Sequence, residues 1–242
     1  QMCIRDSDNI DCRQDGAQIG EDARGTYLFN TTIAGIEEAD YCLLIGTNPR
    51  YEAPILNARI KKSQLNNNLK ISLIGERSDL NYDYDHLGDT PDIIEQILSS
   101  KHDVAKELKN AKKPMIIIGS SVLTRKDAKQ ILKLISDLVK KFSIIKDDWN
   151  GYNVLHKAAS RVGGLDLGFL PANKYAKNTT QILSAADKGD MDVVYLLGAD
   201  EIDVTKLKKS FVIYQGHHGD VAAHHADVIL PGCAYTEKTA TY

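Results

Sequence analysis

Short, mainly apolar runs recur along the chain, and each is followed by glycine at once or within two residues. The runs occupy residues 41–45, 70–74, 115–118, 193–197, 211–214 and 228–230. Near-continuous apolar runs of this kind are typical of strands buried on both faces, as in parallel sheets. Buried helix segments are the alternative, but the shortness of the runs and the glycines that close them favour strands.

Segments with helical patterns lie between these runs. The patterns predict helices at residues 53–62, 92–99, 104–109, 126–141, 154–162 and 180–186. In the fourth segment, Ile131, Ile135 and Leu138 fall on one helix face. A strand, a glycine turn, a helix and a further strand form a βαβ unit. The sequence therefore predicts the α/β class, with doubly wound, mostly parallel sheets and helices on both faces.

The chain also contains a weak internal repeat. Residues 39–48 and 191–200 each place Asp before an apolar run and Gly after it, so each is expected to open its own α/β half. The predicted division is a non-native or disordered leader at residues 1–10, a first α/β region at residues 11–147 and a second at residues 148–242, truncated at its C-terminal end. Since the sequence does not begin with Met and stops after a strongly patterned stretch, we expect a fragment of a longer protein.

Composition narrows the functional class. Of the 242 residues, 43% are hydrophobic and 26% are charged, which is ordinary for a globular protein with a real core. Lys and Arg total 30 and Asp and Glu total 33, giving a net charge of −3, whereas nucleic-acid binders usually carry a basic excess. No apolar run approaches the roughly 18 residues that a membrane span needs. We expect neither a nucleic-acid partner nor direct membrane insertion.

The cysteines do not form a metal-binding pattern. They are Cys3, Cys12, Cys42 and Cys233, and no pair has C-x-x-C spacing. Iron–sulfur clusters and structural zinc sites usually present at least one close pair. Scattered cysteines are typical of reduced thiols in a reducing compartment, so no cluster carried by this chain alone is predicted.

A polar loop, Gly46-Thr47-Asn48-Pro49, follows the first apolar run and precedes a predicted helix. Ligands bind at this edge in open α/β sheets, and the start of a helix favours anions, particularly if Thr47 or Asn48 caps it. A phosphate-binding loop is one interpretation. A tight strand-to-helix turn is the other, and it is favoured because neither the G-x-G-x-x-G nor the G-x-x-x-x-G-K-[ST] pattern is present.

Four histidines and an aspartate lie close together after the run at 211–214. They are His217, His218, Asp220, His224 and His225. Such a group can indicate a metal site. Adjacent histidines in a loop seldom point at one centre, however, and no helix places two of these at i and i+4. Surface histidines with loop hydrogen bonds are therefore favoured, and no metal ligand is predicted.

Several longer motifs carry a resemblance to a known family. They lie at residues 30–40, 46–54, 57–60, 112–114, 119–121, 214–220, 226–232 and 235–242. The most specific are GTNPRYEAP, YQGHHGD and ADVILPG, which begin at Gly46, Tyr214 and Ala226. Over residues 11–242 the chain resembles the large iron–sulfur subunit of respiratory complex I, which is the G subunit of the bacterial NADH–quinone oxidoreductase.

The resemblance implies a fold shared with molybdopterin oxidoreductases, in which loops at strand ends hold a pterin dinucleotide. In the branch that this chain resembles, the metal and the pterin are understood to be lost. The strand-end loops are then vestigial, and no catalytic residue, confident cofactor-binding residue or metal ligand is assigned. The residues of these loops are Gly46, Thr47, Asn48, Pro49, Gly198, Asp200, Gly216, His217 and His218.

The resemblance also implies a function for the longer protein. Its iron–sulfur clusters, of the 4Fe-4S and 2Fe-2S types, are expected on an N-terminal region with closely spaced cysteines that this sequence lacks. The chain itself is expected to be a structural scaffold in proton-pumping NADH–quinone oxidoreductase. Its partners would be the remainder of its own subunit and other peripheral-arm subunits. It would lie at the cytoplasmic face of the bacterial inner membrane, or on the matrix side in a mitochondrion.

Two other functions remain open at the level of sequence. One is an active molybdopterin-dependent oxidoreductase of the formate dehydrogenase type, which predicts a metal-ligating Cys, selenocysteine or Ser beside the pterin. Cys42 and Cys233 lie in or beside predicted strands, which favours core packing instead. The other is a non-catalytic nucleotide-binding α/β module, which predicts that a nucleotide stabilises the fold.

Overall fold

Strands form on all the predicted apolar runs in the computed structural model, which describes residues 7–240. The strands are β1 (Tyr41–Ile45), β2 (Lys70–Ile74), β3 (Asp85–Gly88), β4 (Pro114–Ile118), β5 (Ile145–Lys146), β6 (Trp149–Asn150), β7 (Tyr152–Val154), β8 (Val193–Leu197), β9 (Phe211–Gly216) and β10 (Val228–Pro231). The helices are α1 (Thr32–Gly35), α2 (Pro49–Glu52), α3 (Pro54–Asn67), α4 (Asp92–Leu98), α5 (Val104–Asn110), α6 (Ser120–Leu123), α7 (Ala128–Lys141), α8 (Arg161–Asp166) and α9 (Thr179–Lys188).

One predicted helix is wrong. Residues 154–162 were expected to be helical, but β7 ends at Val154 and α8 begins only at Arg161. The reason is tertiary, because β7 pairs in parallel with β4 and places Ile118 beside Val154. Val154 therefore ends a buried strand instead of beginning a helix, and periodicity alone cannot distinguish the two over so short a stretch.

The described chain divides into two compact units. Residues 18–158 form the first unit, and residues 7–17 together with 159–240 form the second unit. The domain boundary predicted at 147/148 stays a prediction. The first compact unit extends to residue 158, because β7 belongs to its sheet. Residues 1–6 of the predicted leader lie outside the described residues.

The sheet of the first unit has the strand order β3-β2-β1-β4-β7, and each neighbouring pair is parallel. From β1 the chain proceeds outward on one side through β2 and β3, and then crosses to the other side of β1 to form β4. This is the doubly wound arrangement, so the predicted fold class is confirmed. All residues of β1 and β4 are buried, as expected for strands covered on both faces.

The sheet of the second unit has the order β8-β9-β10 and is also parallel. One face packs on α9 and short helical turns, burying Val194, Leu196, Val212 and Tyr214. The opposite face is exposed, and the burial pattern of β8 simply alternates. The prediction of burial on both faces is therefore wrong for β8, whose second face the described helices leave uncovered, and for β10, which is exposed at every position.

An early segment of the chain, residues 7–17, is held in the second unit by polar contacts. Arg13 Nε lies 2.8 Å from Asp11 Oδ1, and Thr179 N donates to Asp11 Oδ2 at 3.1 Å. Arg161 Nη2 lies 2.9 Å from Asp15 Oδ1. Both side chains of the Arg13–Asp11 pair are buried, so this pair is shielded from water, whereas the Asp15 partner of Arg161 is partly exposed. Sequence patterns gave no indication that the second unit begins with this segment.

Candidate functional site

The topological switch point of the first sheet lies between β1 and β4. In doubly wound sheets, ligands bind outside the carboxyl ends of the strands at this point. Gly46-Thr47-Asn48-Pro49 follows β1 directly, and Gly119 follows β4. The predicted strand-end loop therefore lies where a ligand cleft of this fold would open.

Side chains and backbone of the chain itself fill this edge. Gly119 N donates to Ile45 O at 2.9 Å, and a Cβ added at Gly119 would lie 2.2 Å from Gly46 O and 2.5 Å from Thr47 Cβ. The Ser121 hydroxyl donates to Gly46 O. The loops after β1 and β4 are thus in direct backbone contact, which leaves no room between them for a ligand.

The start of α2 is also occupied from within. Asn48 N donates to the Glu52 carboxylate, with Oε1 at 2.7 Å. The expectation that Thr47 or Asn48 would cap this helix is wrong, since neither side chain bonds to the backbone of the first turn. Glu52 can reach back because it lies one helical turn after Asn48, and a carboxylate is favoured at a helix start for the same reason as a phosphate.

The polar atoms of this loop do not fit the phosphate of a pterin dinucleotide. Thr47 Oγ1, Asn48 Oδ1 and Glu52 Oε2 are buried and lack a hydrogen-bond partner among the described residues. The Thr47 hydroxyl is able to donate to a phosphate, but the Asn48 and Glu52 oxygens only accept hydrogen bonds, as phosphate oxygens do, and the Glu52 charge would repel a phosphate. The nearest guanidinium in sequence, that of Arg50, lies 2.5 Å from Asp79 Oδ2 instead.

In the second unit, the strand-end loops are turns around a buried tyrosine. Gly198 has φ +59°, and its N–H donates to Gln215 O at 2.8 Å. A Cβ at Gly216 would lie 2.1 Å from the Tyr214 hydroxyl, so this glycine makes room for the ring. Burial, followed by the charges of Asp200 and Asp220, raises the pKa of Tyr214. The Tyr214 phenol therefore stays protonated near neutral pH.

The histidines of the second unit do not converge on one centre. His217 and His218 are exposed, and their rings meet edge to face with centroids 4.5 Å apart. His225 Nδ1 lies 3.0 Å from Val221 O. Within residues 7–240, no group of three or more His, Cys, Asp or Glu side chains is arranged to hold a metal ion.

Two of the described cysteines differ sharply in reactivity. Cys42 is fully buried in β1, and burial raises the pKa of its thiol. Cys233 is exposed after β10, so the expectation that it packs in the core is wrong, because β10 itself is exposed at every position. Because the thiolate is the reactive form, a buried thiol with a raised pKa is a poor nucleophile and a poor metal ligand.

We expect iodoacetamide to modify Cys233 rapidly in the native protein and to leave Cys42 unmodified. Cys233 is accessible to the reagent, whereas burial keeps Cys42 protonated and shielded between pH 7 and 9. Peptide mass mapping measures the two rates separately. Fast native labelling of Cys42 would contradict the packing of β1.

A groove of about 460 Å³ lies beside the loop between β2 and β3 of the first unit. Asp79 forms part of its wall, and hydrogen bonds from Asn81 N–H and then from Arg50 lower the pKa of its carboxyl group. Tyr84 closes the loop, since its hydroxyl donates to Ser78 O at 2.6 Å. These contacts stabilise the loop itself and do not pair a nucleophile with a base.

Comparison with known proteins agrees with this geometry. A family profile described as molybdopterin oxidoreductase matches residues 3–242. The chain belongs to the molybdopterin oxidoreductase family. The doubly wound parallel sheet of the first unit agrees with this family.

Curated relatives agree with the resemblance carried by the motifs. Over 234 residues the chain is 46% identical to the G subunit of the NADH-quinone oxidoreductase of Rickettsia bellii, covering 97% of this chain and 33% of that protein. It is 45% identical to the NADH-ubiquinone oxidoreductase 75 kDa subunit of Reclinomonas americana, with the same two coverages. It is 47% identical over 236 residues to the corresponding G subunit of Rickettsia felis, covering 98% and 33%. The chain spans about a third of the length of these relatives.

No helix in residues 7–240 combines the length and the apolar character that crossing a bilayer requires. The longest helices, α3 and α7, have 14 residues each, and both carry lysines.

Proposed function

We propose that this chain is the molybdopterin oxidoreductase-like part of the large iron–sulfur subunit of a proton-pumping NADH–quinone oxidoreductase, where it is a structural scaffold without a redox centre of its own. Relatives that carry the name of this complex are 45% to 47% identical to nearly the whole chain. The observation that carries the scaffold role is the Glu52 carboxylate, which accepts a hydrogen bond from Asn48 N–H at the edge of the sheet where ligands of this fold bind.

In this proposal, electron transfer from NADH to quinone belongs to the whole complex. The 4Fe-4S and 2Fe-2S clusters of the subunit lie in polypeptide outside these residues, for which relatives three times as long have room. The chain contributes packing surfaces to the remainder of its own subunit and to other subunits of the peripheral arm. It lies at the cytoplasmic face of a bacterial inner membrane, or on the matrix side in a mitochondrion.

The alternative of a working formate dehydrogenase-type enzyme is not favoured. Such an enzyme needs a metal-ligating side chain beside the pterin, but Cys42 is enclosed in the core of the first unit. The Glu52 carboxylate at the ligand edge of the sheet would also repel a phosphate group. The same charge disfavours a nucleotide-binding module, because nucleotides bind at this edge through their phosphates.

We expect the purified full-length subunit to contain neither molybdenum nor tungsten in stoichiometric amount, and no pterin. Elemental mass spectrometry measures the metals, and fluorescence after oxidative release measures the pterin. A formate dehydrogenase produced in the same host cells serves as the control, because it shows that the cofactor was available. Stoichiometric molybdenum with pterin in the subunit would contradict the scaffold role.

A further inference from the structure

The β8-β9-β10 sheet presents an apolar outer face to solvent. The side chains of this outer face are Val193, Tyr195, Leu197, Phe211, Val228 and Leu230. Strand register places them in adjacent rows, since Val193 pairs with Phe211, and Val228 and Tyr195 both pair with Ile213. Each of the six is between 37% and 64% exposed. They form one contiguous patch, whereas exposed apolar residues of ordinary surfaces are scattered singly.

The outer face lacks the layer that parallel sheets normally have. Parallel strands occur almost only where helices cover both faces. Here the inner face packs on Ala186 of α9 and on Leu207, while no described element of the second unit covers the outer face. The uncovered surface includes the edge of the sheet, because β10 is exposed at every position and pairs only with β9 among the described strands.

The composition of the outer face indicates a permanent partner and not a transient one. Its paired positions carry no charged side chain, and their two polar groups, the Tyr195 hydroxyl and the Gln215 amide, are bonded to each other. Transient protein–protein interfaces are about as polar as the rest of a protein surface, whereas permanent interfaces resemble the hydrophobic core of a domain. An apolar partner that is always present is most simply a part of the same polypeptide.

We propose that the outer face is the docking site for an amphipathic helix from the part of the full-length subunit that lies outside these 242 residues. The length of the relatives supports this occupant, because the chain spans only 33% of them and the remainder is long enough to supply a covering layer. The inference rests on the proposed function only in taking the chain as part of such a subunit. A helix docked on the outer face would give this sheet the helical layers on both faces that the sheet of the first unit has.

Cysteine labelling tests this docking. Leu197→Cys is placed on the outer face, and Tyr175→Cys, on a loop of the same unit where Tyr175 is 80% exposed, is the matched control. N-ethylmaleimide should label Leu197→Cys rapidly in the 242-residue chain. Relative to the control, labelling should be slower by on the order of ten-fold or more in the full-length subunit free of other subunits, since buried sites react only through local opening.

Each other outcome overturns the proposal. Equal relative rates in the two proteins would show that the outer face stays open. Protection in the 242-residue chain that rises with its concentration would identify a second copy as the occupant. Protection of the full-length subunit only after neighbouring subunits are added would identify a different subunit.

Cross-linking identifies the occupant directly. A benzophenone maleimide attached at Leu197→Cys in the full-length subunit should capture a peptide from outside the 242 residues, with apolar residues spaced as on one face of a helix. A cross-link to a residue within the 242 would overturn the proposal. Neither experiment depends on NADH oxidation or cofactor content, so failed docking would leave the scaffold role standing, to be judged by the molybdenum and pterin measurements.

Discussion

Replacing Gly119 by alanine should destabilise the first unit by roughly 2 to 3 kcal/mol, a typical cost of overpacking a close contact. The added Cβ would lie 2.2 Å from Gly46 O and 2.7 Å from Thr47 Cα, so backbone as well as side chain must move. Gly119 has an extended backbone that alanine adopts without strain, so the effect isolates the contact between the two loops. Gly25→Ala is the matched control, because its Cβ would meet only Asn30 Oδ1 at 3.8 Å.

The single tryptophan makes this measurement specific to the first unit. Trp149 is buried there, and its indole N–H donates to Pro114 O at the start of β4. Denaturant unfolding followed by Trp149 fluorescence should show a lower midpoint for Gly119→Ala and little change for Gly25→Ala. An unchanged midpoint for Gly119→Ala would contradict the close contact between the loops after β1 and β4.

The same substitution separates the scaffold role from a catalytic one. In the assembled complex, Gly119→Ala should lower the amount of complex recovered, while electron transfer per assembled complex stays near that of the native protein. A scaffold affects how many complexes form, whereas a residue at a working cofactor site changes turnover in each. Normal assembly with selectively lost electron transfer would argue for a working site at this edge.

Where the strands lie could be predicted because most of them carry their own signal. The runs at β1, β2 and β4 are apolar, end in glycine and need burial on both faces. β3 carries no such signal, since Asp85–Gly88 is polar and forms a strand only by pairing with β2. Its partner therefore determines its structure, and a single-sequence pattern cannot show a partner.

The candidate site was predictable in position but not in state. That Gly46–Pro49 would follow a strand at the ligand edge follows from local pattern and fold class. The sequence pattern does not show that Glu52 would bond to the start of α2 or that Ser121 would bond to Gly46 O. Both contacts depend on side-chain conformation and on the tertiary placement of the loops after β1 and β4. The motif that suggests a cofactor loop is therefore retained in a site that the chain itself has filled.

The organisation of the chain was the least visible property. Asp11 bonds to the backbone of Thr179, 168 residues away in sequence, and Asp15 pairs with Arg161. Short polar segments such as residues 7–17 have no periodicity that would reveal these partners. An α/β pattern shows where units contain strands, but long-range ion pairs decide which segment joins which unit.

Asn153→Leu should be the second strongly destabilising change, at about 3 kcal/mol. Asn153 is fully buried, accepts a hydrogen bond from Thr31 N at 2.8 Å and donates to Thr31 Oγ1 at 2.7 Å. Leucine is of similar size but makes neither bond, and each buried group left without a partner costs about 1 to 3 kcal/mol. Asn66→Leu, at an exposed position of α3, is the control and should change stability by less than about 0.5 kcal/mol.

The Asn153 amide matters beyond one contact because it fixes the segment before α1 against β7. Thr31 Oγ1 also donates to Asn150 O at 2.9 Å, so Thr31 is bonded to both β6 and β7. In a double-mutant cycle with Thr31→Ala, measured by Trp149 fluorescence, the loss in the double mutant should be smaller than the sum of the two single losses, because both single mutations break the same bond. Strict additivity would show that Asn153 and Thr31 act independently, and the junction would then be held by the packing of the apolar neighbours alone.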